Sequence, residues 1–436
     1  MDRHRRDRKV KFKELFHSAA RVATGEVLGR LATFVLYAYV SRRYGVEVLG
    51  IVALGQVVAT YVIEGSDQGL KLIAVRLLAR KPDLADYLVP AISRRRTGFT
   101  SLAVLLGVAY GLLGPVPAAA RTCVVAFVLA VIPYSCALDW VAWGLGKFGV
   151  LASWRSGVSI LYVLIAVLGM RMTGRPIASM ATGNFTAAAL GAFFLWLVWR
   201  VRWRQPTNVA TPDALQVARQ ELRVSRVMTL GSSNLLNLIF LNADILILGA
   251  MSTTHEVGRY SAACKPLYVL FTGFWLLTDV LYPHIAAAKD STRARSSLLR
   301  WLALLAMASA VVAGLLGFLA PRILTVIYGS TMGAAGLFRV LLVAMPLDFC
   351  FSLLWTVLVS RGYDRFVLYA LATAALSDVA LNWIFIPRFQ AGASAWATVA
   401  SYTVLFGMML VFVLRHDVLS RRGEDEPVPS PSEYAL

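Results

Sequence analysis

Asp244 is a carboxylate within an otherwise apolar stretch, FLNADILILGAM, at residues 240–251. A charge among hydrocarbon side chains is costly unless it is paired, hydrogen-bonded or used, so Asp244 is expected to face an interior. Lys265 lies in the next apolar stretch of the chain. Two interpretations stay open: the two residues form a structural ion pair across a helix pair, or Asp244 binds a cation or a proton.

A second polar group lies near the end of the chain. Asp378 and Asn382 are four residues apart, which puts both side chains on one face of a helix. Counting residues from the predicted helix ends places Asp244 and Thr398 at a depth in the membrane similar to that of Asp378 and Asn382. Carboxylate, amide and hydroxyl oxygens suit Na⁺, and a carboxylate alone can carry a proton. Apart from this possible Na⁺ or H⁺ coupling, we expect no metal and no cofactor.

The first apolar segment carries charges too, in the stretch RVATGEVLGRLATFVLYAYV. Helical spacing brings Glu26, Arg30, Thr33 and Tyr37 to one face, with Arg21 on the opposite face near the start. Glu26 and Arg30 are natural i,i+4 partners. This face is either a structural ion pair at a helix contact or a cavity-facing cation that meets an anionic substrate.

The composition predicts an all-α polytopic membrane protein. The chain of 436 residues is 58% hydrophobic and only 15% charged, with mean hydropathy +0.66. Apolar runs near 20 residues span a bilayer core of about 30 Å. We count twelve: 15–41, 47–65, 91–114, 122–143, 151–170, 176–199, 227–250, 259–284, 300–320, 335–360, 366–386 and 392–414. Pro133, Pro266 and Pro346 are expected to kink their helices.

The distribution of charge decides what the net charge of +19 means. Alternating the segments from a cytoplasmic N-terminus, 31 of the 43 lysines and arginines fall in cytoplasmic pieces. This asymmetry is the positive-inside rule, and it predicts that both termini are cytoplasmic. It also argues against nucleic-acid binding. The basic start leads into a segment longer than a signal peptide core, and no cleavage site is evident.

Six segments on each side of a polar interruption predict two pseudo-symmetric six-helix lobes around a central cavity. The expected divisions are a basic cytoplasmic segment (1–14), an N-lobe (15–200), a cytoplasmic linker (201–226), a C-lobe (227–414) and a disordered cytoplasmic tail (415–436). YGVEVLG and THEVGRY follow the first helix of each half, and both place a Glu shortly before a Gly. Halves that start on the same side indicate a parallel repeat, with substrate between them.

Other chemistry finds little support in the sequence. GLGKFG lies in a short loop between apolar helices, not after a strand, so it is not a nucleotide fingerprint. There is no P-loop, and the four cysteines are scattered through apolar segments. The outer loops are too short to hold an enzyme site. Further polar residues in apolar segments are expected to cap helices, bond to the backbone or line a cavity: Asp139, Asp279, Asp348 and Asn237.

Four stretches together resemble the bacterial polysaccharide flippases. They are VSRRYGVEVLGIVALGQVV, SDQGLKLIAVR, FLNADILILG followed by EVGRYSAACKPLYVL, and ALNWIFIPRFQAGASAWATVASY. The resemblance spans both halves and implies membership of the multidrug, oligosaccharidyl-lipid and polysaccharide exporter superfamily. It implies two lobes that rock between inward-open and outward-open states. Lys265 falls where the family often has a basic residue, Asp244 where it often has a polar one, and Asp378 where many relatives carry Asn.

The sequence and the resemblance together predict a transporter, not an enzyme. It would flip a polyprenyl-diphosphate-linked oligosaccharide across the bacterial inner membrane by alternating access, for O-antigen, exopolysaccharide or capsule. The predicted substrate-binding residues are Arg30, Lys265, Arg21 and Glu26, and the predicted coupling residues are Asp244, Asp378, Asn382 and Thr398. The expected partners are the lipid bilayer and polysaccharide polymerase and export proteins, with the chain a monomer. The alternatives are a cation-coupled multidrug antiporter on the same fold and a membrane-embedded polymerase or glycosyltransferase.

Overall fold

A computed structural model describes residues 24–204, 212–286 and 291–416. Within these ranges the chain is helical almost throughout and contains no strand. The all-α fold class is therefore confirmed. Arg21, the basic segment 1–14 and most of the tail 415–436 lie outside the described residues.

The helices follow one another with short connections. In the first half they are α1 (24–44), α2 (Val46–Asp67), α3 (Leu70–Arg80), α4 (Ala85–Leu113), α5 (Ala118–Leu129), α6 (Val131–Ser135), α7 (Asp139–Gly144), α8 (Phe148–Thr173) and α9 (Pro176–Val198). A π-helical turn, Trp199–Trp203, extends α9. The remainder are α10 (Pro212–Glu221), α11 (Val224–Met251), α12 (Thr254–Ala286), α13 (Ser291–Tyr328), α14 (Ala335–Leu342), α15 (Ala344–Ser360), α16 (Asp364–Phe389) and α17 (Ala391–Arg415).

Ten stretches of the described residues are long and apolar enough to cross a membrane. They match ten of the twelve predicted segments, and α1 and α12 coincide with the other two. The span predicted at 122–143 ends earlier, at Ser135, and α7 is a separate short helix. α13 presents large apolar side chains outward along one face, as a lipid-facing helix does: Met307, Val311, Leu315 and Phe318.

Proline breaks two of these spans and not a third. α5 ends at Leu129 and α14 ends at Leu342, each four residues before a proline, Pro133 and Pro346 respectively. A proline ring clashes with the carbonyl four residues earlier and removes one hydrogen bond, which accounts for both breaks. Around Pro266 the helix α12 is continuous.

Two compact units make up the described chain. Unit 1 contains the described residues of Met1–Leu36, Val58–Ala109 and Val124–Asn234, and unit 2 those of Tyr37–Val57, Tyr110–Cys123 and Leu235–Leu436. Each unit has a buried apolar core, built around Trp140 and Leu88 in unit 1 and around Leu354 and Leu405 in unit 2. The lobe boundaries and the linker drawn from the sequence stay predictions.

Candidate functional site

In unit 1 the carboxylate of Glu26 holds two guanidinium groups. Arg30 Nε donates to Glu26 Oε1 at 3.2 Å, and Arg155 Nη1 donates to Glu26 Oε2 at 2.7 Å. The i,i+4 pair expected from the sequence is thus present, with a second arginine from α8 added to it. Two arginine side chains therefore share one carboxylate. The three side chains are 20–37% exposed.

Small residues bring α1 and α8 together at this cluster. A Cβ on Gly25 would lie 2.8 Å from the carbonyl oxygen of Ala152, and one on Gly29 would lie 2.8 Å from Ser159 Oγ. Real side chains do not pack that closely, so the approach of the two helices depends on the glycines. The close approach allows Arg155 to reach a carboxylate on α1.

A second ion pair in unit 1 lies on α3 and α7, outside the candidate membrane spans. Lys71 Nζ is 2.7 Å from Asp139 Oδ2, and Lys71 lies over the ring of Trp143 at 5.5 Å. Burial alone would raise the pKa of Asp139, but the charges of Lys71, Arg96 and Arg155 and the hydrogen bond from Lys71 together outweigh it and hold this pKa below its usual value. Burial alone would lower the pKa of Lys71, but the Asp139 carboxylate, together with Tyr134, outweighs burial and raises this pKa above its usual value. Both groups are therefore charged at neutral pH.

In unit 2 Asp244 is buried and hydrogen-bonded by hydroxyl groups. The Tyr260 hydroxyl donates to Asp244 Oδ2, and it lies 3.0 Å from Thr398 Oγ1. Thr398 in turn donates to the carbonyl oxygen of Ser394 at 2.9 Å. A chain of hydroxyls thus connects the carboxylate on α11 to α12 and α17. These groups line a cavity whose other walls are mostly aromatic and aliphatic, including Tyr268.

Asp378 occupies a second buried polar cluster of unit 2. Its Oδ2 accepts from Asn382 Nδ2 at 3.1 Å and its Oδ1 accepts from Ser401 Oγ at 3.2 Å. The Oδ1 atom of Asn382 is buried with no hydrogen-bond partner among the described residues. Asp244 is close enough to Asp378 for their charges to interact. Neither carboxylate forms an ion pair with a Lys or Arg in the part of the chain that is described.

Lys265 forms no ion pair with either carboxylate among the described residues. Its Nζ lies 3.6 Å from the centroid of the Tyr37 ring and 3.4 Å from Gln56 Oε1, a contact with α1 and α2. The interpretation of Asp244 and Lys265 as a structural ion pair is therefore wrong for the described residues. The reason is helical geometry: Tyr260, which binds Asp244, is five residues before Lys265 and so lies about 140° around α12.

A family model described as "Polysaccharide biosynthesis protein" matches residues 16–289, more than half of the chain. The chain belongs to the polysaccharide biosynthesis protein family. A comparison with curated proteins finds no match.

Solved structures add the fold of this family member. Lipid II flippase MurJ, in an inward-closed conformation, is 14% identical over 93% of this chain and 90% of MurJ, with a TM-score of 0.58. The MATE multidrug transporter DinF-BH in complex with R6G is 15% identical over 94% and 96%, with a TM-score of 0.62. An outward-facing MATE family transporter of the MOP superfamily is 13% identical over 93% and 96%, with a TM-score of 0.55. The fold is that of the multidrug, oligosaccharidyl-lipid and polysaccharide exporters, as the resemblance implied.

The structure of this polysaccharide biosynthesis family member also adds residues that sequence reasoning missed. Arg155 was not among the predicted site residues, and it reaches Glu26 from α8. Tyr260 and Ser401 hold the two buried carboxylates of unit 2. Tyr260 was detectable, since it precedes Lys265 in the same apolar segment, but nothing in the sequence indicated its partner. Among the described residues no group of three or more His, Cys, Asp or Glu side chains could hold a metal ion.

Proposed function

We propose that this chain is a flippase of the bacterial inner membrane, with both termini in the cytoplasm. It translocates a polyprenyl-diphosphate-linked oligosaccharide by alternating access, and so supplies the synthesis of O-antigen, exopolysaccharide or capsule. Membership of the polysaccharide biosynthesis family supports a polysaccharide precursor as the cargo. The likeness to a lipid II flippase supports the class of reaction.

The observation that carries this proposal is a set of basic side chains on the long apolar helices α1, α8 and α12. Arg30 and Arg155 share the single carboxylate of Glu26, and Lys265 has no carboxylate partner among the described residues. Such cations are expensive in a membrane, and they mark the path of an anion. Guanidinium groups match the oxygens of a diphosphate in geometry as well as charge. A diphosphate is the anion that a lipid-linked oligosaccharide carries.

The membrane potential favours the proposed direction. Each negative charge that moves outward across an inside-negative membrane gains about 2.3 kcal/mol per 100 mV. The polyprenyl tail stays in lipid during this movement, while the diphosphate and the sugars follow the polar path. Export requires a reset, and we propose that entry of Na⁺ or H⁺ at the carboxylates of unit 2 provides it. Asp244, Asp378, Asn382 and Thr398 supply the oxygen atoms for this step.

Complementation tests the role of the cations. We expect that Arg30→Ala and Lys265→Ala abolish surface polysaccharide in a strain that lacks the native gene, while protein levels in the membrane stay normal. Arg322→Ala is the matched control, because Arg322 is an exposed arginine on the apolar helix α13. Full complementation by both Arg30→Ala and Lys265→Ala would refute the proposal.

A second candidate is a cation-coupled multidrug antiporter. Buried carboxylates without cationic partners among the described residues, beside a cavity lined by Phe240, Tyr268 and Tyr402, would suit a cationic aromatic drug. Efflux of ethidium from cells that express the chain distinguishes the two candidates. Drug efflux that is lost in Asp244→Asn but kept in Arg30→Ala would favour the antiporter.

A further inference from the structure

The exposed side of α9 is apolar along most of the helix and becomes basic at its end. Leu190, Phe193 and Leu197 are exposed and lie at three- and four-residue steps, hence on one face of the helix. Phe193 stacks on Trp196, with ring centroids 6.0 Å apart and an interplanar angle of 23°. Pro176–Trp203 is one of the candidate membrane spans. The apolar face therefore suits acyl chains, and the basic end suits the membrane surface.

A π-helical turn arranges the side chains at this basic end. The N–H of Arg204 donates to the carbonyl oxygen of Trp199 at 2.9 Å, five residues earlier. At the same five-residue step, Arg204 Cζ lies 5.7 Å from the centroid of the Trp199 ring. Arg200 Cζ lies 5.1 Å from the centroid of the Trp196 ring, at the four-residue step of an ordinary α-helix. Single π turns are rare and frequently occur at functional sites. The change of helix type thus gives each of the two arginines an aromatic ring to rest on.

Little acidic charge lies near the arginines at the end of α9. Residues 140–212 contain no Asp or Glu. Arg204 Nε lies 3.8 Å from Asp86 Oδ1, whereas the exposed residues Arg200 and Arg202 form no ion pair within the described part of the chain. A ring contact occupies the flat face of a guanidinium group and leaves its N–H edge available to an acceptor. Arg200 and Arg202 therefore present charged donors beside an exposed apolar face.

We propose that the end of α9 binds one anionic phospholipid, with its phosphate at Arg200 and Arg202 and its acyl chains along Leu190, Phe193 and Leu197. Apolar side chains that are continuous with exposed guanidinium groups fit an amphiphile with negative charge. A zwitterionic lipid matches the same apolar face but carries no net charge. In the proposed topology the site faces the cytoplasmic leaflet, whose surface is negative. The site requires only that α9 crosses a membrane, and it stands whether or not the chain flips an oligosaccharide.

Native mass spectrometry of the full chain in detergent tests this lipid site. Dioleoyl phosphatidylglycerol and dioleoyl phosphatidylcholine share their acyl chains and differ in charge, so the ratio of their dissociation constants measures the contribution of charge. We expect wild type to bind the first phosphatidylglycerol more tightly than the first phosphatidylcholine. The double variant Arg200→Gln with Arg202→Gln should weaken this phosphatidylglycerol step about thirtyfold, because each arginine contributes about fivefold. Binding of phosphatidylcholine should stay the same.

The double variant Arg171→Gln with Arg175→Gln is the matched control. Arg171 lies in the last turn of α8 and Arg175 immediately before α9, so both exposed arginines are at the opposite end of α9. Arg200→Lys with Arg202→Lys keeps the charges and should retain most of the preference for phosphatidylglycerol. Trp196→Leu removes the ring that Arg200 contacts and should weaken phosphatidylglycerol binding about threefold, the effect of an exposed cation–π contact.

Equal affinity of wild type for the two lipids would overturn the proposal, and so would an equal loss of phosphatidylglycerol binding in the Arg171 and Arg175 variant. Ammonium phosphate at the concentration of the lipid should not displace phosphatidylglycerol, because inorganic phosphate cannot use the apolar face. Displacement would reduce the site to one for a simple anion and overturn the lipid site. Binding of polyglutamate that requires Arg200 and Arg202, without any preference for phosphatidylglycerol, would assign this surface to an acidic protein and also overturn it.

Discussion

Glu26 on α1 accepts a hydrogen bond from Arg155 on α8 at 2.7 Å, across 129 residues of sequence. The same carboxylate also binds Arg30 on its own helix. Glu26 is therefore the common partner of two arginines, and it fixes the position of both guanidinium groups. Under the proposed function, Glu26 would act on an anionic substrate through the arginines that it holds.

Replacement of Glu26 tests this positioning role. Glu26→Ala should remove the carboxylate that Arg30 and Arg155 share, lower the midpoint of thermal unfolding and reduce surface polysaccharide. Adding Arg155→Ala to Glu26→Ala should recover stability, by about 1–3 kcal/mol, but not export. Glu47→Ala, at an exposed glutamate of α2, is the control for loss of an acidic side chain. Recovery of export in the double variant would show that Arg155 serves only the structure.

The contact between Lys265 and Tyr37 predicts a measurable coupling energy. Tyr37→Phe keeps the aromatic face and should leave stability nearly unchanged. Tyr37→Leu should lose about 0.5–2 kcal/mol, the range of a cation–π interaction. A double-mutant cycle with Lys265→Met separates this energy from lost packing. Equal cost of Tyr37→Leu in the presence and absence of Lys265 would mean that the ring and the ammonium do not interact.

The ion pair of Lys71 and Asp139 predicts how stability depends on pH. Asp139→Asn leaves Lys71 without its anion and should cost about 3–5 kcal/mol at neutral pH. The lowered pKa of Asp139 stabilises the fold above its usual pKa, about 3.9, and this contribution is lost as pH falls through the lowered value. The raised pKa of Lys71 stabilises the fold below about pH 10.4, and that contribution is lost above the raised value.

Thermal unfolding measured across a range of pH tests both of these contributions to stability. The difference between wild type and Asp139→Asn should be constant around neutral pH, shrink below about pH 4 as Asp139 is protonated, and shrink again at alkaline pH as Lys71 loses its proton. Lys147→Met, at an exposed lysine close in sequence, is the control and should change little at any pH. A difference that already declines near pH 6 would contradict the ion pair.

The helices were predictable because each apolar run is long, and hydropathy alone identifies such runs. The breaks followed from chemistry as well, since α5 and α14 end four residues before Pro133 and Pro346. α3 was not predicted as a helix. α3 has 11 residues, too few to span a membrane, and it carries three charged side chains, Lys71, Arg76 and Arg80. Hydropathy therefore treats it as part of a loop.

The site was predictable only where its partners are close in sequence. The pairs Glu26–Arg30 and Asp378–Asn382 follow from i,i+4 spacing. The partner of Lys265 did not follow, because equal depth in the membrane does not fix the direction in which a side chain points. Tyr37 and Gln56 approach it from helices more than 200 residues away. Contacts between distant helices are set by packing, which one sequence does not reveal.

We predict that coupling to an ion gradient requires the carboxylate of Asp378. Both of its oxygens accept hydrogen bonds, from Asn382 and Ser401, so Asp378→Asn keeps the shape but removes the charge. We expect Asp378→Asn to fold normally and to move its substrate in proteoliposomes without a response to an imposed Na⁺ or pH gradient. Asp364→Asn, at the exposed start of the same helix, should respond as wild type does. A gradient response that survives Asp378→Asn, and also Asp244→Asn, would remove unit 2 as the coupling site. The expected loss of coupling follows from the loss of charge, because a neutral amide can neither take up a proton nor balance a bound cation.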